Sequence, residues 1–127
     1  MTPEKIVQNQ VLDYLRDLEK QGLPVMSDRR QAGGFSYKMG QADVWASING
    51  RHIEIECKRP SGGEQAAMQM KWEMKCKKAN VMYILANSLE SVKEVVEKLL
   101  NLWKYIKIYS ELKRDILRNF ISHKYKL

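Results

Sequence analysis

Cysteine, proline and glycine are all scarce in this chain, at two, three and seven residues among 127. Cys57 and Cys76 stand far apart with no C-x-x-C, which excludes a disulfide framework and a zinc-binding knuckle. So little proline and glycine excludes a collagen-like or low-complexity chain. The longest apolar run, Val81-Met82-Tyr83-Ile84-Leu85-Ala86, is far short of a membrane span. The opening Met-Thr-Pro-Glu-Lys has no apolar stretch of the secretory type, so a cytoplasmic location and no membrane partner are expected. Acidic residues are also in deficit, 15 against 22 basic ones, and the net charge is +7. A basic excess of this size on one small domain favours a polyanionic partner, most simply nucleic acid.

The hydropathy pattern predicts an α/β chain. Thr2 and Pro3 open a helix carrying Ile6, Val7, Val11, Tyr14, Leu15 and Leu18, which Gly22 and Pro24 end near Gln21. Val25 to Gln31 reads as a short polar strand, followed by a glycine-bearing loop to Gly40. Val44, Ala46 and Ile48 alternate with polar neighbours up to Asn49-Gly50, the strongest short-range hairpin signal, and Ile53, Ile55 and Cys57 alternate after it. A helix is expected over Glu64 to Lys78, with Met68 and Trp72 in the core. A central buried strand follows over Val81 to Ala86. Ser88 is placed to cap a helix through Leu102, and Ser110 a last one through Ile121. The order gives a mixed sheet with flanking helices.

The hairpin carries the chemistry. In a two-residue turn Ile48 faces Arg51, which puts Asp43 opposite Glu56 on one face, with Cβ atoms about 4.5–5.5 Å apart. Lys58 lies on that face too, whereas Ile53, Ile55 and Cys57 point to the core side. Opposed carboxylates destabilise a sheet unless something relieves them. Mg²⁺ does so with one or two carboxylates plus water and phosphate oxygens. A lysine beside such a site can orient a water and offset developing negative charge. His52-x-Glu54 matches the first part of a zinc deaminase signature, but the Pro-Cys-x-x-Cys that must follow is missing. Glu54 faces Trp45 nearer the turn, where it can at most support the site.

Four segments together resemble the VRR-NUC domain, the virus-type replication-repair nuclease branch of the PD-(D/E)XK superfamily. They are Gly40-Gln41-Ala42-Asp43, Ile55-Glu56-Cys57-Lys58-Arg59-Pro60, Gln69-Met70-Lys71-Trp72 and Tyr83-Ile84-Leu85-Ala86-Asn87-Ser88-Leu89-Glu90-Ser91-Val92. The resemblance runs from Glu4 to about Leu100 and is nearest to the small stand-alone forms of phages and bacteria. It implies a restriction-endonuclease-like core and an Mg²⁺-dependent phosphodiesterase, with Mn²⁺ as substitute, in a bacterial cell or phage-infected host. Asp43, Glu56 and the backbone carbonyl of Cys57 would then be metal ligands. Lys58 would position the attacking water, Gln69 would support it, and Glu4, with Gln8 one turn on, would contact the metal directly or through water. Ala42 stands where the superfamily has its name-giving proline, but this branch commonly carries Gly-x-x-Asp.

Arg29, Arg30, Lys38, Arg59, Lys71 and Lys75 are candidates for phosphate contact. Gln65, read as one helical turn before Gln69 on the same face, is another. Residues 1–100 are expected to form the nuclease domain, and residues 101–127 a basic helical extension packed on it. The resemblance further implies a homodimer acting on branched DNA, with four-way junctions the leading substrate. Flap or nicking activity, or a non-catalytic DNA-binding module with the same fold, are the alternatives.

Overall fold

A computed structural model describes residues 1–30 and 40–125. The order is α1 Pro3–Lys20, β1 Val25–Arg29, β2 Val44–Ile48, β3 Arg51–Cys57, α2 Ala67–Lys78, β4 Met82–Ala86 and α3 Leu89–Tyr125. The strands form one mixed sheet in the order β1-β2-β3-β4, antiparallel except for β3 with β4. The α/β class is as expected.

Local chemistry sets each boundary. Thr2 Oγ1 accepts from the Lys5 N–H at 3.2 Å, capping α1. At its other end Gly22, at φ +82°, donates to the Glu19 carbonyl while Leu23 donates to that of Leu18, a Schellman ending. Asn49 and Gly50 both have positive φ, +52° and +79°, as a type I′ turn requires. That turn fixes the expected register: Ile48 pairs with Arg51, and Val44 with Ile55.

Val44, Ala46, Ile48, Ile53, Ile55 and Cys57 are fully buried on one face. Val7, Val11, Leu12 and Leu15 of α1 and Val92, Val96 and Leu100 of α3 close over them. The opposite face of the hairpin lies under α2, whose Gln69 and Trp72 bond to Glu56 and Glu54. Strand β3 is therefore buried on both sides from Ile53 onward.

Four expectations are corrected. Strand β4 is an edge, not a central strand: its apolar run packs Ile84 and Ala86 inward but leaves Leu85 46% exposed. Helix α2 begins at Ala67 and not Glu64, because the chain is still non-helical after the turn that Gly62, at φ +82°, requires. The two C-terminal helices are one, 37 residues long, since nothing between Leu89 and Tyr125 breaks a helix and Ser110 alone does not. Nor does the segment after Leu100 pack back onto the domain: side chains such as Tyr105, Tyr109, Leu112 and Phe120 are more than half exposed. No helix among the described residues is long and apolar enough to cross a membrane.

Candidate active site

Asp43 sits one residue before β2, where ladder pairing has stopped. Its backbone carbonyl accepts from the Arg30 N–H at 2.8 Å, and its carboxylate Oδ2 accepts from the Cys57 N–H at 2.9 Å. In an unbroken ladder that donor would go to the carbonyl of Ala42. That carbonyl instead accepts from Arg30 Nη1 at 3.2 Å. The side chain thus extends the hairpin by one rung and is pinned beside Glu56, close to the position expected from the turn. Gly40 explains the Gly-x-x-Asp spacing. It is buried at φ +89°, and a Cβ there would lie 2.4 Å from the carbonyl oxygen of Met68. Only glycine lets the approach to Asp43 run this close to α2.

Glu56 is 1% exposed. Its Oε1 accepts from Gln69 Nε2 at 2.6 Å and lies 3.8 Å from Lys58 Nζ. Its Oε2 is buried and has no hydrogen-bond donor among the described residues. Burial first, then the Asp43 charge, push the Glu56 carboxyl up to about 8; Lys58 opposes this and Glu4 adds to it. Gln69 is locked between its neighbours: its Oε1 accepts from Lys58 Nζ at 3.0 Å and from the Ala66 N–H at 2.9 Å. The second bond ties the start of α2 to the site, since Ala66 has no capping oxygen of its own. Lys58 is nearly buried at 8% exposure. Asp43, Glu56, Lys58 and Gln69 therefore converge as expected. The Cys57 thiol points into the core, and burial with the two nearby carboxylates pushes it up to about 12, so it stays a neutral thiol. Only its backbone belongs to the site.

Glu4 stands at the exposed start of α1, on the rim of a cleft of about 600 Å³ lined by Gln8, Arg29, Arg30 and Asp43. Its charge reaches Glu56, but it does not complete a ligand cluster. Among the described residues no group of three or more His, Cys, Asp or Glu side chains is arranged to hold a metal ion. What the chain offers is a carboxylate pair, the donor set that Mg²⁺ or Mn²⁺ completes with water and phosphate oxygens. The orphaned Glu56 Oε2 next to a second carboxylate fits such a cation, because two acceptors cannot satisfy each other without a proton or a metal between them.

The residue that the sequence underrated is Glu54. It is 1% exposed, like Glu56, yet fully partnered. Arg30 grips it with both arms of its guanidinium, at 2.5 and 2.9 Å; Trp72 Nε1 donates to it at 2.9 Å and His52 Nε2 lies at 2.8 Å. Since Arg30 also holds the carbonyls of Ala42 and Asp43, Glu54 acts through Arg30 to fix Asp43. A polar residue two positions from a candidate ligand, on the same strand face, was the available signal.

The expected phosphate contacts divide accordingly. Arg29 is exposed and lines the cleft, and Lys71 is exposed on α2. Arg59 is exposed, with its Nε bonded to the Gly62 carbonyl at 2.9 Å. The fork of Arg30 is committed to Glu54, so the structure gives it a positioning role. Lys75 lies over the Trp72 ring at 5.6 Å. Gln65 precedes α2 and donates to the Tyr83 hydroxyl at 3.1 Å, so it does not share a helix face with Gln69. Lys38 lies outside the described residues. Met68, expected in the core, is 42% exposed, and Trp72 is half-buried as a donor. No protein-family model matches the chain, and no curated protein matches it either.

Proposed function

We propose that this protein is a divalent-metal-dependent endonuclease that hydrolyses phosphodiester bonds in DNA. One observation carries the reading: two carboxylates, Asp43 and Glu56, are forced together beside a nearly buried lysine, and one Glu56 oxygen has no donor among the described residues. Such a pair costs stability, and relief of that cost by a charged ligand is what supports the reading. Mg²⁺ or Mn²⁺ held by Asp43, Glu56 and the Cys57 carbonyl would supply an activated water and offset charge on the phosphate. The chain's own residues do the rest. Gln69 holds the Lys58 amine and Glu56 in fixed relation, so that Lys58 orients the water for in-line attack. Arg29, at the cleft beside Asp43, is placed to receive a phosphate.

The net charge of +7 suits a DNA backbone, and the VRR-NUC resemblance favours branched DNA, four-way junctions above all. The test is cleavage of end-labelled four-way junction, flap, linear duplex and single strand, with Mg²⁺, Mn²⁺ or EDTA, by wild type and Lys58→Ala. Paired symmetric cuts in the junction, abolished by EDTA and by Lys58→Ala, support the full reading. Cuts confined to flap or duplex keep the site and remove the junction. Salt-sensitive binding without cleavage under either metal overturns the enzyme and leaves a DNA-binding module.

A further inference from the structure

The carboxylate pair uses only one end of the surface under α2. Toward the other end lies a separate cavity of about 270 Å³, bounded by Arg30, His52, Glu54, Trp72, Lys75 and Cys76. Its lining is mostly carbon, including the Trp72 and His52 rings and the buried Cys76. Trp72 Nε1 and His52 Nε2 meet the two oxygens of Glu54, at 2.9 and 2.8 Å, so one carboxylate ties down both rings. Trp45 stacks on His52, with centroids 6.4 Å apart and planes at 15°, and extends the aromatic wall. Lys75 Nζ stands over the Trp72 ring at 5.6 Å and the Arg30 guanidinium at 5.9 Å, so the rim is positive. The chemistry of Asp43 and Glu56 makes no use of this cavity.

We propose that the cavity is a slot for one unpaired nucleobase of the DNA strand whose phosphate the neighbouring cleft receives; this rests on the reading of that cleft as a DNA site. Size, position and charge choose a base. At about 270 Å³ the cavity is below the ~300–1,000 Å³ of sites that enclose drug-sized ligands, and it suits a single planar ring system against aromatic walls. Arg30 lines both this cavity and the cleft of Glu4, Arg29 and Asp43, so the two adjoin at one guanidinium. Glu54 precedes Glu56 by two residues of β3, about 7 Å at ~3.3 Å per residue, which is about two nucleotide rises of one DNA strand. A base in the slot therefore belongs to a nucleotide within about two of the phosphate at Asp43 and Glu56. Glu54 is the one acid among the described residues lining the cavity, and Arg30 neutralises it, which leaves Lys75 to face the DNA backbone. A base held in a duplex stack does not reach such a slot. The slot thus favours DNA with an unpaired nucleotide beside the cut, where extrusion costs least.

The experiment compares two oligonucleotides binding to the full-length chain, with Ca²⁺ in place of Mg²⁺: octathymidylate, and an abasic octamer with the same sugar-phosphate backbone. Both carry the same phosphates, so the salt-dependent backbone contribution is common to them. Octathymidylate is expected to bind at least tenfold more tightly and to shift the indole N–H signal of Trp72, while that of Trp103, on α3 outside the cavity, stays. Ala79→Phe puts a ring at the mouth of the cavity without removing a donor to Glu54. It should abolish the tenfold preference and leave the affinity for the abasic octamer unchanged. His52→Ala, which keeps Trp72 on Glu54, should lower the preference at least threefold, and it guards against misfolding of the phenylalanine variant. Equal affinity for the two octamers overturns the slot, as does a preference that survives both variants or leaves the Trp72 signal unmoved. Failure to bind either octamer overturns the DNA reading of the cleft and the slot with it. A preference for bases in a protein that cleaves no DNA supports the slot and overturns the nuclease alone.

Discussion

Glu54 and Glu56 lie two residues apart on the same face of β3, under the same helix, and are equally buried at 1% exposure. Their surroundings are opposite. Glu54 is met by Arg30, Trp72 and His52. Glu56 is met by one amide, a lysine 3.8 Å away and another carboxylate, with one oxygen orphaned. Burial alone therefore says nothing about role. What separates the structural acid from the candidate metal ligand is the account of donors around each oxygen.

The largest expected effect follows directly. Glu56→Gln should lower cleavage at least 10³-fold, about 4 kcal/mol in transition-state terms, measured as single-turnover rate on the preferred substrate. Stability by urea unfolding should stay level near neutral pH and rise by about 1 kcal/mol above pH 8, because an amide can donate to Asp43 at any pH whereas the carboxyl does so only while it holds its proton. Glu54→Gln should do the reverse in rank. It strips charge from a buried pair, at a cost of about 2–3 kcal/mol of stability. Its loss of activity should be recovered in part by excess Mn²⁺, as expected for a residue that acts only by positioning Asp43. If Glu56→Gln proves the more destabilising of the two, the distinction between them collapses.

Next in size is the pH dependence. Glu56 titrates near 8 in the folded protein, against about 4.5 for a free carboxyl. Below about pH 4.5 folded and unfolded chains both hold the proton. Between there and pH 8 only the folded chain holds it, so the contribution of Glu56 declines as pH rises, by at most about 1.4 kcal/mol per unit. Wild type should lose roughly 2–4 kcal/mol relative to Glu56→Gln between pH 5 and 8 in EDTA. Saturating Mn²⁺ should flatten that difference, since a cation stabilises the ionised pair. A difference that is flat in EDTA as well would mean that the Asp43–Glu56 repulsion is already relieved without metal.

Much of this site was legible in the sequence because one turn type fixes everything downstream of it. Asn49-Gly50 dictates the register, and the register sets Asp43 beside Glu56 and sends Ile53, Ile55 and Cys57 inward. What local pattern could not supply was tertiary. The apolar run of β4 is compatible with an edge as well as a centre, and only the sheet order decides. Ser110 can cap a helix but does not compel one to start, so α3 runs through it. Arg30 reads in sequence as a phosphate contact because its partner, Glu54, lies 24 residues away. Gln65 and Gln69 shared a face only on the assumption that α2 had already begun.

Gly40 gives the finest test of how Asp43 is held against Glu56. Two glycines, Gly22 and Gly40, have nearly equal φ, +82° and +89°, so alanine pays a similar left-handed penalty at each, about 1–2 kcal/mol. They differ in space. Among the described residues nothing lies within 4 Å of a Cβ on Gly22, whereas at Gly40 the Met68 carbonyl oxygen is 2.4 Å away and its carbon 2.6 Å. Those are backbone atoms of α2 and cannot swing aside as a side chain would. Gly40→Ala must therefore move the segment that leads to Asp43, and with it the carboxylate that Cys57 pins. The expected cost is about 2–3 kcal/mol of stability, with Mn²⁺ affinity at least tenfold weaker by calorimetry. Gly22→Ala should cost only the backbone penalty and leave Mn²⁺ binding unchanged. With Asp43 displaced, the Glu56 carboxyl should titrate lower, closer to the ordinary carboxylate range, while the Glu54 contacts with Trp72 and His52 persist. Equal effects of the two alanines would show that the approach of Gly40 to α2 does not position Asp43.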